Sequence, residues 1–278
     1  MGVLSGSARV VKAQVVKESD KDLDRITVEE HLGDKIPLDL VFNDDQGQPV
    51  KLGDYFNQGK PVVLTLGYYE CPMLCNLVFN GLSEAVKQID WVPGTDFQMV
   101  TVSINPEETP QLAFAKKENY LKSLGKPVPE TGWMFLTGAE DQSRALADAV
   151  GFRYFYDAER DQYAHPAVAI LVAADGTISR YLYGIDFARQ DFRLALLEAS
   201  EGKIGDTIDR IILYCFHYDP DAEGYVVVAG NVMKLGGVVT MLVLGLFIGA
   251  LWYGERCKKA RLAAAGTTSN TMVNSEKR

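Results

Sequence analysis

The chain has 278 residues, 47% of them hydrophobic and 23% charged, a balance that supports a full core and excludes intrinsic disorder. A formal net charge of -9 excludes a nucleic-acid partner, which needs a basic face to neutralise phosphates. Four cysteines are too few for a disulfide scaffold, so a closely spaced pair of them points to redox or metal chemistry.

Residues 1–22 read as a polar lead, followed by one domain over 23–200. The stretch IPLDLVFNDDQGQPVKLGDYF alternates apolar residues around a turn signal and predicts a β-hairpin. KPVVLTLGYY, Lys60 to Tyr69, is a β-rich apolar run and predicts a strand buried on both faces. After Cys71, Pro72 and Cys75, the spacing of Leu77, Val78, Leu82 and Val86 predicts a helix. FQMVTVSI predicts a second buried strand, TPQLAFAKKENYLKSLG a second helix and AEDQSRALADAVGF a third. HPAVAILVAADGTISRYLYG predicts strand, turn and strand, and FARQDFRLALLEASEG a last helix. Strands alternating with helices imply an α/β domain with a mixed sheet.

A connector over 201–234 leads to a candidate transmembrane helix over 235–254. Leu235 to Tyr253 is an uncharged run of nineteen residues, long enough to cross a hydrocarbon core of about 30 Å. Trp252 and Tyr253 suit an interfacial belt, and Arg256, Lys258, Lys259 and Arg261 follow at once, so the tail over 255–278 is expected in the cytoplasm. The domain is then expected on the extracytoplasmic side. The first 22 residues hold no apolar run of the length an export signal uses, so this orientation implies a signal ahead of Met1.

Cys71 and Cys75 fall between a strand and a helix, at the carboxyl end of a strand, where ligands collect in open α/β sheets. A helix N-terminus favours thiolate, which is both the nucleophile and the metal ligand. Pro72 fits a first helical turn, where the missing donor costs nothing. Three intervening residues allow a disulfide and equally let both sulfurs face one soft ion. Of the three histidines, His31 reads as a surface residue. His165, directly ahead of an apolar strand and held extended by Pro166, suits a ligand and a hydrogen-bonded structural histidine equally. His217 and Cys215, two apart, form a weaker second candidate metal site, since alternate residues of an extended chain share a side. A peroxidase-like enzyme is disfavoured, because Gly67, Tyr68, Tyr69 and Glu70 precede Cys71 where such enzymes carry a threonine or serine.

GYYECPMLC, SINPEETP and HPAVAILVAADGTISRYLYG, in this order, make the chain resemble the Sco/SenC family of copper chaperones for cytochrome c oxidase assembly, from roughly Leu38 to Leu197. The resemblance implies a thioredoxin-like fold, with copper held by Cys71, Cys75 and His165 and passed to the copper site of oxidase subunit II. It implies other copper carriers or thiol reductants as further partners, and single-pass attachment to the inner membrane with the domain outside the cytoplasm. The alternative function is thiol-disulfide oxidoreductase, with Cys71 and Cys75 as the redox pair. Departures from the family pattern are Met73 in place of an aspartate, Asn105 opening the usual Asp-Pro-Glu stretch, and an anchor at the C-terminal end. GWMFLTGAEDQSRALADAVGF is matched to the family's helix before the histidine strand.

Overall fold

The computed structural model describes residues 25–56, 58–200, 216–219, 224–227, 231, 233–248 and 252. The lead over 1–22, the tail over 255–278, Cys215 and Cys257 lie outside the described residues.

The VVLTLG run is apolar except at Thr65 because its strand is covered on both sides. Strand β3, Val62–Gly67, is buried at every residue and lies at the centre of a five-stranded sheet. Before it comes the expected hairpin, β1 (Val41–Asn43) and β2 (Pro49–Lys51), paired antiparallel and followed by a 3-10 turn over Leu52–Tyr55. Helix α1, Leu74–Gln88, then crosses back so that β4, Gln98–Ser103, runs parallel to β3. Helix α2, Pro110–Ser123, opens on Thr109, whose hydroxyl caps the Leu112 amide with Pro110 at the first helical position.

Strand β5, Trp133–Leu136, pairs parallel with β4. Helix α3 spans Glu140–Ala149. A short antiparallel hairpin follows, β6 (Phe155–Asp157) with β7 (Gln162–Ala164). Strand β8, Val168–Val172, pairs antiparallel with β3, and β9, Ile178–Tyr183, closes the other edge. The sheet order is therefore β5-β4-β3-β8-β9, a mixed sheet. Helix α4, Arg189–Ala199, lies against β9, and α1 touches both α2 and α4. Strands β10 (Phe216–Asp219) and β11 (Gly224–Val227) form a separate antiparallel pair.

An aromatic cluster fastens α1 and α2 to β4 and β5. Phe79, Tyr120, Trp133 and Phe135 lie with centroids 5.2 to 6.3 Å apart, and Tyr69 joins them 5.6 Å from Phe135. Truncating a buried ring of this kind costs about 3–5 kcal/mol. The polar atoms inside the cluster are satisfied: Trp133 Nε1 donates to Thr101 Oγ1 at 2.9 Å, and that hydroxyl meets Thr65 Oγ1 at 2.7 Å.

Four expectations need correction or completion. The segment matched to a single helix divides into β5 and α3, because four consecutive apolar residues between Gly132 and Gly138 have no period that separates a buried strand from a helix. The β6–β7 hairpin was not expected, since its strands are three residues each and straddle a charged loop. His31 is half-buried, because residues 28–36 pair along the domain: its ring Nδ1 meets the Ala149 carbonyl at 2.9 Å and its amide donates to the Tyr181 hydroxyl at 3.1 Å. Among the described residues no helix is long and apolar enough to cross a membrane. Within the expected span, residues 235–248 are helical and expose Leu246, Phe247 and Ile248, while 249–251, 253 and 254 lie outside the described residues.

Gly81 lets α1 approach the loop that enters α4, since a Cβ there would sit 2.1 Å from the Ile185 carbonyl oxygen. Gly81→Ala is expected to destabilise the domain by about 2 kcal/mol, lowering the thermal midpoint by roughly 4–8 °C in calorimetry. An unchanged midpoint would show that α1 has room to move.

Candidate metal centre

The exit of β3 and the entry of β8 meet at one place because the two strands are antiparallel, with Leu64 opposite Ile170 and Val62 opposite Val172. The residues after Gly67 therefore come beside those before Val168. Cys71, Cys75 and His165 are all buried there, and their donor atoms lie within 4.8 Å of one another. Both cysteines are free thiols.

Helix α1 begins at Leu74, so Pro72 lies ahead of the first turn, and Met73 occupies the cap position with φ -147 and ψ -68 and no side-chain cap bond. Cys75 is thus inside the helix and Cys71 on the loop before it. The Cys75 amide donates to Cys71 Sγ at 3.3 Å, and the Tyr68 amide donates to Cys75 Sγ at 3.3 Å. Asn76 Nδ2 holds the Cys71 carbonyl at 2.9 Å. At Gly67 an added Cβ would stand 3.1 Å from Cys75 Sγ, so a bare backbone lets the thiol sit against the strand.

Cys75 Sγ lies 3.0 Å from His165 Nε2. The ring's other nitrogen, Nδ1, is 2.9 Å from the Pro166 carbonyl, which can only accept. The proton of the neutral ring therefore belongs on Nδ1, and Nε2 turns its lone pair to the sulfurs. Phe152 stacks on the imidazole at 5.9 Å and Tyr68 meets it edge-on at 6.1 Å, which fixes the plane of the ring.

The two thiols have opposite character. Hydrogen bonding from the Cys75 side chain, then from the Cys75 and Met73 backbone, holds Cys71 far below the ordinary thiol range, at about 3, against the opposing effect of burial. Burial first, and then the adjacent Cys71, push Cys75 far up. At neutral pH the site presents one thiolate and one thiol, with the imidazole beside them. Such a set suits a soft ion, and equally an attacking thiolate with a partner thiol beside it.

A cleft of about 390 Å³ opens next to this cluster, walled by Tyr68, Tyr156 and Tyr163 and by Glu70, Glu107 and Asp161. Sequence reading places Cys71, Cys75 and His165 where the structure brings them together. His217 sits in β10 opposite Val226, and its candidate partner Cys215 lies outside the described residues. Met73 is exposed. Glu108 escaped the sequence reading. Its carboxylate is buried beneath the loop, and the one available signal was an acidic residue between a strand end and a helix cap.

A mixed α/β sheet carrying a dithiol at the junction of a loop and a helix, beside a histidine, fits a thioredoxin-like fold with a Cys-Cys-His site. The SCO1/SenC family model matches residues 30–193, and the chain belongs to that family. No curated protein matches the chain. Among solved structures, an electron transfer protein candidate from Aquifex aeolicus VF5 is 24% identical with a TM-score of 0.55, over 62% of this chain and 96% of that one. The crystal structure of Arabidopsis thaliana ScoI with copper bound is 21% identical with a TM-score of 0.44, over 55% of this chain and 87% of that one. Bradyrhizobium japonicum ScoI with copper bound is 20% identical with a TM-score of 0.43, over 61% and 98%.

Because the folded-state value of Cys71 is depressed, its ionisation stabilises the fold fully above the ordinary thiol range, and this contribution is lost as pH falls through about 3. Ultraviolet titration of the thiolate is expected to show one of the two site cysteines ionised from neutral pH down to about pH 4. Both thiolates appearing together in the alkaline range would contradict the assigned asymmetry.

Proposed function

We propose that the protein is a metallochaperone that binds copper through Cys71, Cys75 and His165 and delivers it to the copper site of cytochrome c oxidase subunit II. The observation that carries this reading is the buried convergence of two sulfurs and one imidazole nitrogen within 4.8 Å, in a chain of the SCO1/SenC family. Two sulfurs and a nitrogen favour Cu(I), a soft ion, over hard cations that seek oxygen. Position favours handover as well, since the cluster sits at loop level at the ends of strands, beside an open cleft, where an acceptor's ligands can approach and exchange. Other copper carriers or thiol reductants are the proposed partners upstream.

The domain over 23–200 is proposed to hang outside the cytoplasm from a span over 235–254, with the tail over 255–278 inside. The apolar run from Leu235, the cationic residues that follow it and the exposed apolar side chains of residues 238–248 support this arrangement. Cys215 and His217, in the connector, are proposed as a second, weaker copper contact near the membrane.

The split between a low-lying Cys71 and a high-lying Cys75 favours one second reading, thiol-disulfide exchange with Cys71 attacking and Cys75 resolving. His165 separates the two, because exchange needs no third ligand. In a competition titration, the purified protein is expected to take up one Cu(I) and to release about one proton from its thiols at neutral pH, that of Cys75, since Cys71 is already ionised. His165→Ala is expected to weaken Cu(I) binding by about tenfold or more. Undiminished affinity in His165→Ala would favour the exchange reading.

A further inference from the structure

Glu108 is a buried carboxylate that copper binding leaves unused, yet it touches the chain immediately ahead of the metal loop. Its Oε1 accepts the amides of Tyr69 at 2.6 Å and Glu70 at 2.8 Å, and its Oε2 accepts the Ser103 hydroxyl at 2.6 Å. These three partners are neutral. A carboxylate buried on neutral donors is expensive to desolvate, and burial does raise its pKa above the ordinary carboxylate value. Its position is nonetheless well defended: the Glu108 amide donates to the Asn105 carbonyl at 3.2 Å, and Thr109 next to it caps α2.

The geometry gives this arrangement a direction. Strand β3 ends at Gly67, and the two amides that Glu108 holds belong to the second and first residues before Cys71. On the other side of Cys71, Asn76 fixes its carbonyl, and Lys116 in α2 holds the Asn76 side-chain oxygen at 2.8 Å. Cys71 is thus suspended between two anchors that both trace back to α2. Cys75 and His165 are placed by other bonds, the Tyr68 amide and the Pro166 carbonyl.

We propose that Glu108 is a positioning residue for the metal loop: through the Tyr69 and Glu70 amides it sets where Cys71 stands relative to Cys75 and His165. This rests on the copper reading for its consequence but not for its structure. Removing the carboxylate frees the segment carrying Cys71, leaving two ligands in place and the third adrift.

The test uses the whole protein and three variants. Glu108→Ala removes both acceptor bonds, whereas Glu108→Gln keeps a side-chain carbonyl that can accept the same two amides. Val172→Ala is a core truncation at the far end of β3 from the cysteines, a control for lost stability alone. Competition titration with Cu(I) is expected to show Glu108→Ala weakened by about tenfold or more, with Glu108→Gln and Val172→Ala within about threefold of the parent. Wild-type affinity in Glu108→Ala would overturn the proposal, as would Glu108→Gln falling as far as Glu108→Ala. Equal loss in Val172→Ala would overturn it too, by assigning the effect to stability. A metal-free measurement separates this inference from the copper reading. Amide hydrogen exchange at Tyr69 and Glu70 is expected to be slow in the parent and in Glu108→Gln and fast in Glu108→Ala. A parent protein that binds no Cu(I) but keeps this exchange pattern would remove the copper reading and leave the anchor standing; fast exchange in the parent would remove the anchor.

Discussion

The contact on which the site depends is the 3.0 Å approach of Cys75 Sγ to His165 Nε2, between residues ninety positions apart in the chain. It exists because β8 runs antiparallel to β3 at the centre of the sheet. Were β8 parallel to β3, as β4 is, the entry of β8 would lie beside the start of β3 and the histidine would stand a full strand length from the thiols. One change of strand direction inside an otherwise α/β pattern therefore decides whether three donors meet. The aromatic cluster under α1 and the Thr65–Thr101 hydroxyl pair keep the parallel half of that sheet in register beneath them.

Within the cluster, the same closeness makes the two thiols unlike. Cys71, on the loop, accepts an amide and is stabilised as thiolate; Cys75, inside the helix and against the strand, is kept as thiol by burial and by its neighbour's charge. The histidine stands between these outcomes. Its proton is committed to the Pro166 carbonyl, so the lone pair on Nε2 faces the Cys75 sulfur and is available to a cation. Burial of all three residues excludes water, which both strengthens these interactions and slows oxidation of the thiols.

Much of this could be read in the sequence, and the boundary is physical. The apolar-rich runs of β3, β4 and β8 have the signature of strands covered on both faces, and Cys71 and Cys75 stand out by their spacing. His165 is a candidate by its place before a strand, and the resemblance to a family is what makes it a ligand. What could not be read is whatever depends on contacts between distant segments. Glu108 in a loop of acidic residues looks solvated, and only the fold turns it toward the Tyr69 and Glu70 amides. His31 looked exposed because its partners, Ala149 and Tyr181, lie more than a hundred residues away. The four-residue β5 and three-residue β6 and β7 are too short to show a period.

The central claim is that one imidazole and two sulfurs form a single site. X-ray absorption at the copper edge of the Cu(I)-loaded protein reads those ligands directly. The account predicts two sulfur donors and one nitrogen donor, with the nitrogen missing in His165→Ala. A parent spectrum with sulfur ligands alone, unchanged by that substitution, would contradict it.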